Sequence, residues 1–247
     1  MAPRPFDFLA RHYNAMTGFP GRVDTLARQM QPWVEKWHVR QALDAGCGGG
    51  ALMLALDRLG VTPVGLDLSE PMLRLAISNS KSQGKRFAFH GTSFEMAGRL
   101  FPSRFDAAIT VGNSIIGAED DRELTAWLRG LRDTVRPGGH LLIQILNPTP
   151  FFLGLKSVIA RRTIDGAEFV RVAAPDGDRL NFCAMYLGKD GETRFHFSRW
   201  VNWEHRRVTG CVAAAGFAEI QVFGSLEGAP FDERSSTDIV ISAKRRM

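Results

Sequence analysis

Asp44, Gly46, Gly48 and Asp67 are the residues whose types and spacing carry the most chemical meaning in this chain. Residues 41–50 read QALDAGCGGG, and a second apolar stretch, VTPVGLDLSEPM, places an acid twenty-one residues after Gly46. A short apolar strand runs into glycines, the glycines open a helix, and a carboxylate stands at the tip of the next strand. Glycines let the backbone approach a ligand with no Cβ in the way. A carboxylate at a strand tip can accept two hydrogen bonds from a ribose diol. The arrangement suits a nucleoside ligand.

Two cofactors fit that spacing. Gly46-x-Gly48-x-x-Ala51, with Asp67 as the ribose acid, satisfies the loose dinucleotide fingerprint. Asp44 lies two residues before the first glycine and puts a carboxylate in the loop itself. A pyrophosphate would be repelled there, whereas a cationic aminoacyl group would not. S-adenosylmethionine carries an ammonium and a sulfonium and has no phosphate. With the triple glycine Gly48-Gly49-Gly50 and the run Asp67-Leu68-Ser69-Glu70-Pro71-Met72, the chain resembles the class I S-adenosylmethionine-dependent methyltransferases. LDAGCGGG stands where that family has its first motif, and GLDLSEPML where it has its second.

The resemblance implies a cofactor site. Asp67 would hold the ribose hydroxyls, and Leu68 and Met72 would flank the adenine. Main-chain groups at Gly46 and Gly48 would meet the aminoacyl end, and Asp44 would orient the loop and sense the ammonium. The family often sets an acid against the adenine amino group after the third strand. This chain has Thr92 there, which shifts adenine recognition to the backbone of Ser93 and Phe94 or to stacking. Tyr13 and Arg22 lie in an N-terminal segment that folds over the cofactor in related small-molecule enzymes, a tyrosine touching the methionyl part and an arginine its carboxylate. Val111 heads the loop after the fourth strand and counts among the cofactor contacts.

That loop, Val111-Gly112-Asn113-Ser114-Ile115-Ile116, is where methyltransferases address the substrate, and its GNS resembles the glycine N-methyltransferase-like branch. Asn113 would offer a donor and an acceptor near the methyl group. Substrate choice is expected to rest on Tyr186, Arg194 and Trp200, with His196 and Arg199 as further candidates. No general base is assigned. Methyl transfer from a sulfonium is an in-line displacement, and alignment with desolvation can supply much of the acceleration.

These residues need elements to position them. From residue 41 apolar strands alternate with helices, which argues for a parallel sheet covered on both faces. Expected strands are Ala42–Ala45, Pro63–Asp67, Arg86–His90, Phe105–Val111 and His140–Leu146, with helices over Ala51–Leu59, Glu70–Gln83 and Asp120–Val135. The loops 46–50, 67–69, 91–94 and 111–115 all follow strands, so one sheet edge can collect them. Residues 1–40 look helical, broken at Gly18-Phe19-Pro20-Gly21, with Pro32 a further kink or break. Residues 163–201 alternate as antiparallel strands with turns at Pro175–Asp178 and Gly188–Gly191. Asn147-Pro148-Thr149-Pro150 reads as the exit turn before them. Trp203–Ala215 is a helix, followed by strands over Ala218–Gly224 and Thr237–Ala243.

The expected fold is α/β: a doubly wound, mostly parallel, seven-stranded Rossmann-like sheet with an N-terminal helical lid and a small antiparallel β insertion. Residues 1–247 form one methyltransferase domain: the lid over 1–40, the cofactor-binding core over 41–147, a substrate cap over 148–202, and a C-terminal helix and strand pair over 203–247.

Bulk properties narrow the partners. The chain has 247 residues, 45% of them hydrophobic, which is ordinary globular material. No apolar run reaches about 18 residues, and the N-terminus lacks the apolar core of a signal peptide, so a cytoplasmic location is expected. The three cysteines, Cys47, Cys183 and Cys211, form no CxxC and fit no zinc site, so no metal is expected. Net charge is +5, but the arginines are scattered, which disfavours a nucleic-acid partner. The expected reaction is S-adenosylmethionine-dependent methylation of a small-molecule amine or hydroxyl, leaving S-adenosylhomocysteine. Methylation of RNA or protein, a nicotinamide-dependent oxidoreductase and a non-enzymatic cofactor-binding module remain as alternatives. The insertion is expected either to close over the site or to pair with a second subunit in a homo-oligomer.

Overall fold

The computed structural model describes residue 10 and residues 12–247. The first part of the expected lid, residues 1–9 and 11, lies outside the described residues. Two helices open the described chain, α1 (Tyr13–Thr17) and α2 (Phe19–Trp37). The core then alternates β1 (Gln41–Ala45), α3 (Ala51–Arg58), β2 (Thr62–Asp67), α4 (Glu70–Ser82), β3 (Ala88–Gly91), α5 (Phe94–Leu100), β4 (Phe105–Thr110), α6 (Asp121–Thr134) and β5 (Val135–Leu146). A short helix α7 (Thr149–Phe152) leads into β6 (Val158–Ile164), β7 (Ala167–Asp176), β8 (Arg179–Leu187) and β9 (Thr193–Val201). Helix α8 (His205–Ala214), β10 (Phe217–Phe223) and β11 (Asp238–Arg245) close the chain.

Seven strands form one sheet in the order β10-β11-β5-β4-β1-β2-β3. The pairs β1–β2, β2–β3, β1–β4 and β4–β5 are parallel, and β11 runs antiparallel between β5 and β10. The chain moves outward from β1 in one direction through β2 and β3, then crosses back to β4. The carboxyl ends of β1 and β4 therefore flank the switch point, where open α/β sheets hold their ligands.

Neighbouring residues of one strand face opposite sides of the sheet. Leu141 and Ile143 join a core with α6 and α8, and Leu142 joins the core with α2 and α3. Strand β4, FDAAIT, is buried at every position, as expected for a parallel strand covered on both faces. Helix α6 starts at Asp120, whose carboxylate accepts the Glu123 amide at 2.8 Å, and buries Leu124, Leu128 and Leu131 at helical spacing.

Four local expectations need correction. The N-terminal break is confined to Gly18, the left-handed residue between α1 and α2; Pro20 sits in the first turn of α2, where its missing amide costs nothing. Pro32 does not end the helix. The apolar face of α2 (Val23, Leu26, Met30, Trp33 and Trp37) is buried against α3 and the sheet, and that packing outweighs the roughly 3 kcal/mol penalty of an internal proline. Strand β5 begins at Val135, through Arg136-Pro137-Gly138-Gly139, with an irregularity where it pairs with β4. The exit segment after Asn147 coils into α7.

The four strands β6–β9 make a separate antiparallel sheet. Its inner face buries Phe169, Ala173, Leu180, Phe182 and Ala184, and Met16 of α1 packs there. Its outer face leaves Phe195 and Phe197 exposed, as period-two alternation requires. No described helix is long and apolar enough to cross a membrane.

Candidate active site

The glycine loop after β1 is a left-handed turn. Gly46, Gly48 and Gly50 have φ of 80°, 51° and 80°. Side chains avoid such angles because the Cβ meets the backbone. Both Gly46 and Cys47 donate amide hydrogens to the Leu66 carbonyl, at 2.8 Å each, which ties the loop to the tail of β2. A Cβ on Gly46 would overlap the Ser114 hydroxyl, and the Phe94 ring lies 3.4 Å from the same point. The loops after β1, β3 and β4 thus converge at Gly46.

Asp67 ends β2 half-buried. One carboxylate oxygen accepts the Gly48 amide and the other the Ser69 amide, both at 2.8 Å. Ser69 caps α4 by accepting from the Met72 amide at 3.4 Å. Met72 is buried, its methyl 3.5 Å from a Cβ built on Gly48, whereas Leu68 is 47% exposed.

Asp44 is 1% exposed, and its Oδ2 has no hydrogen-bond partner. Burial, and then the nearby Asp67, push its carboxyl up to about 8, while Arg22 pulls the other way. Arg22 reaches from α2 to the loop after β4, its Nη2 3.2 Å from a Cβ built on Gly112. Tyr13 covers the glycines: a Cβ on Gly48 would stand 3.1 Å from its hydroxyl, and one on Gly49 would stand 3.2 Å from its ring. Burial raises the pKa of the Tyr13 phenol.

The loop after β4 is held by β5. Gly112 donates to the Gln144 side chain at 2.6 Å. Asn113 sits at φ 75°, and its side-chain oxygen accepts the Leu146 amide at 2.6 Å. The Asn113 oxygen already accepts the Leu146 amide, which leaves its second lone pair and the amide nitrogen as the groups it could offer a substrate. Asn113 precedes a single 3-10 turn (Ser114–Gly117) without capping it through its side chain. Val111 is buried beside this loop. Ser93 caps α5 by accepting the Met96 amide at 3.4 Å, and Phe94 packs edge-on against Trp127 at 5.6 Å.

The cap residues divide. Tyr186 stacks on His12 at 4.2 Å, beside Phe169. Trp200 stacks on Phe182 at 4.1 Å and packs against both the main core and the cap core, a position that anchors the cap. Arg194 is exposed and bonded to Glu192 at 2.8 Å, and Arg199 pairs with Asp176 at 3.1 Å, so the structure gathers neither with the loops. The His196 Nε2 is buried without a partner, and burial lowers its pKa.

Several residues at this edge escaped the sequence reading. Asn79 donates to the Gly49 carbonyl at 2.8 Å and exchanges hydrogen bonds with Asn14. Gln144 holds Gly112. The Thr110 hydroxyl, at the end of β4, is buried without a partner. Their shared signal is a polar residue interrupting an apolar helix face or strand, as in HLLIQIL. A cavity of about 590 Å³ opens elsewhere, between α5 and α6, and is lined by none of the expected cofactor contacts.

The residues fit a cationic nucleoside ligand. The glycines leave a cradle that any Cβ would fill, and Asp44 offers an unpartnered buried oxygen beside it. Comparison with known proteins agrees. Residues 42–139 match a family model described as a methyltransferase domain. The chain is 30% identical over 137 residues to a ubiquinone biosynthesis O-methyltransferase of Xanthomonas euvesicatoria, covering 56% of this chain and 53% of that protein. The chain thus spans about half the length of the curated relatives it matches first. An S-adenosylmethionine-dependent methyltransferase from Clostridium acetobutylicum superposes with a TM-score of 0.78 at 13% identity, covering 91% of this chain and 92% of that one. An amino pentose methyltransferase from Micromonospora echinaspora, solved with S-adenosylmethionine bound, superposes at 0.66 and 18% identity, covering 92% and 91%. By its glycine loop, its match to a methyltransferase domain over residues 42–139 and its superposition on these structures, the chain is similar to the class I S-adenosylmethionine-dependent methyltransferases and has their fold.

Proposed function

We propose that the protein transfers a methyl group from S-adenosylmethionine to a small-molecule acceptor through an amine or a hydroxyl. The observation that carries this reading is Asp44, a buried carboxyl beside the glycine loop with an oxygen left unbonded. An uncompensated buried carboxyl is costly, and an ammonium would both ionise and satisfy it. A pyrophosphate in the same loop would oppose ionisation of Asp44 and bring no donor to its unbonded oxygen, which counts against a dinucleotide.

S-adenosylmethionine, when bound, would supply an activated methyl group and leave as S-adenosylhomocysteine. Asp67 would hold the ribose, and Arg22 and Tyr13 the methionyl end, Arg22 through its charge on the carboxylate. Phe94 and Ser93 would border the adenine. The loop 111–114 would align the acceptor, with the Asn113 amide nitrogen as its polar contact. Held there, the acceptor lone pair would face the methyl carbon in line with the carbon–sulfur bond to be broken, and the acceptor proton would leave to water. Alignment and exclusion of water by α1 and the cap would provide the acceleration.

Calorimetric titration with S-adenosylmethionine, S-adenosylhomocysteine and NAD tests the reading. Micromolar binding of the first two without NAD supports it. Binding of NAD alone returns Gly46–Ala51 to the dinucleotide class, and binding of none removes the proposed activity.

A further inference from the structure

Arg171 is a cation on the wrong side of a sheet. Strand β7 alternates, and Phe169 and Ala173, two residues to either side, are buried in the cap core. Arg171 shares their inward face, opposite Ala184 of β8, which is 1% exposed. Its side chain has neither a hydrogen bond nor an ion pair among the described residues. Among the described residues, the charged and titratable groups that face it are Tyr13, Arg22 and Arg162, with no carboxylate among them. Arg162 lies on the same face of β6, opposite Phe169, and its guanidinium rests against Gly18 at the joint of α1 and α2. Burial works against the charge of Arg171, and the two neighbouring arginines add to that.

A half-buried guanidinium among like charges is unfavourable unless something anionic meets it. Three exposed arginines of the cap have their acids: Arg161 pairs with Glu168, Arg194 with Glu192 and Arg199 with Asp176. Arg171 instead looks toward Tyr13, which itself lies on the glycine loop. Tyr13 and Arg22 each neighbour both Arg171 and Asp44, and so connect the cap to the glycine loop. The planar fork of arginine matches the two oxygens of a carboxylate or phosphate.

We propose that Arg171, with Arg162 beside it, binds an anionic oxygen group, a carboxylate or a phosphate, carried by the methyl acceptor. The inference rests on the methyl-transfer reading above and narrows its substrate class to acidic small molecules.

Titration of the full chain with benzoate, phenyl phosphate and neutral benzamide, with and without saturating S-adenosylhomocysteine, tests it. At least one anion is expected to bind, with benzamide weaker by about tenfold or more. Benzoate alone would identify a carboxylate site, and phenyl phosphate alone a phosphate site. Arg171→Met is expected to weaken the bound anion by about tenfold or more and to leave the S-adenosylhomocysteine affinity unchanged. Arg171→Lys keeps the charge without the fork and should retain part of the binding, which separates a lost site from a lost fold. Arg161→Ala, on the outer face, should change nothing. Absence of anion binding, equal binding of benzamide, or anion binding untouched by Arg171→Met overturns the assignment. Failure of S-adenosylhomocysteine to bind overturns the methyl-transfer reading instead, and the anion titrations of the free protein then still decide the role of Arg171.

Discussion

The carboxylate of Asp67 accepts the backbone amide of Gly48 at 2.8 Å, so the acid of the second motif holds the glycine loop of the first. Loop shape and the ribose recognition proposed for Asp67 would therefore be coupled through one side chain. The same carboxylate also receives the Ser69 amide, at the start of α4.

Asp67→Ala should weaken S-adenosylhomocysteine binding by about 2 kcal/mol or more and lower folding stability by about 1–3 kcal/mol, because Gly48 and Ser69 lose an acceptor. Asp67→Asn keeps one acceptor oxygen and should recover much of the stability but less of the binding. Calorimetry and denaturant unfolding measure the two effects separately. An Ala variant that binds like the wild type would remove Asp67 from the site.

Asp44 carries its proton to about pH 8 in the folded chain, against 3.8 for an ordinary aspartate. Between those values the folded state binds more protons than the unfolded state, so this group makes stability fall as pH rises through the window and level off above it. Asp44→Asn should abolish that component, seen as a pH-dependent difference between the two unfolding curves. Binding of a cationic ligand near pH 7 should release up to one proton, read as a dependence of the binding enthalpy on buffer ionisation. The Asn variant should bind more weakly and release none. A wild-type enthalpy independent of buffer would contradict contact between Asp44 and the ligand ammonium.

Asn113→Ala should cost about 2 kcal/mol, because the Leu146 amide loses its acceptor and alanine is forced to a φ of 75°. Asn113→Gly should recover the backbone share alone. Thermal unfolding orders the three proteins as wild type, Gly, Ala. If Ala is the more stable variant, the left-handed conformation is not what selects the residue.

Gly46→Ala should destabilise the protein by about 2 kcal/mol or more, since a Cβ at φ 80° would overlap Ser114. Ser114→Ala in the same chain removes the hydroxyl but not the Ser114 Cβ, which stands 2.5 Å from the same point. The double variant should therefore recover little of the loss. Full recovery would mean that the hydroxyl alone sets the limit.

Much of this molecule follows from local rules. The run QALDAGCGGG contains both a buried strand and the glycines its turn requires, and Ser69 and Asp67 mark the next helix start by type and position. Alternating apolar runs and helical spacing specify the doubly wound sheet because each element must bury one face. Leu141 and Leu142 reach opposite cores for that reason alone. Residue type also placed Tyr13 and Arg22 in the N-terminal segment, through resemblance.

Tertiary structure decided what those residues do to one another. Asn113 and Leu146, or Asn79 and Gly49, are far apart in sequence, and their contacts depend on how β4 pairs with β5 and how α4 packs on the loop. A one-residue slip in a strand turns every side chain to the other face, so composition cannot specify such pairs. Pro32 continues a helix because Trp33 and Trp37 are buried, not because proline favours it. Asp44 stands out in the chain by its place before the glycines, whereas Arg171 reads as an ordinary polar residue. Burial makes the first a proton-holding carboxyl and works against the charge of the second, which has no counter-charge among the described residues, because desolvation is a property of the packed molecule rather than of the residue.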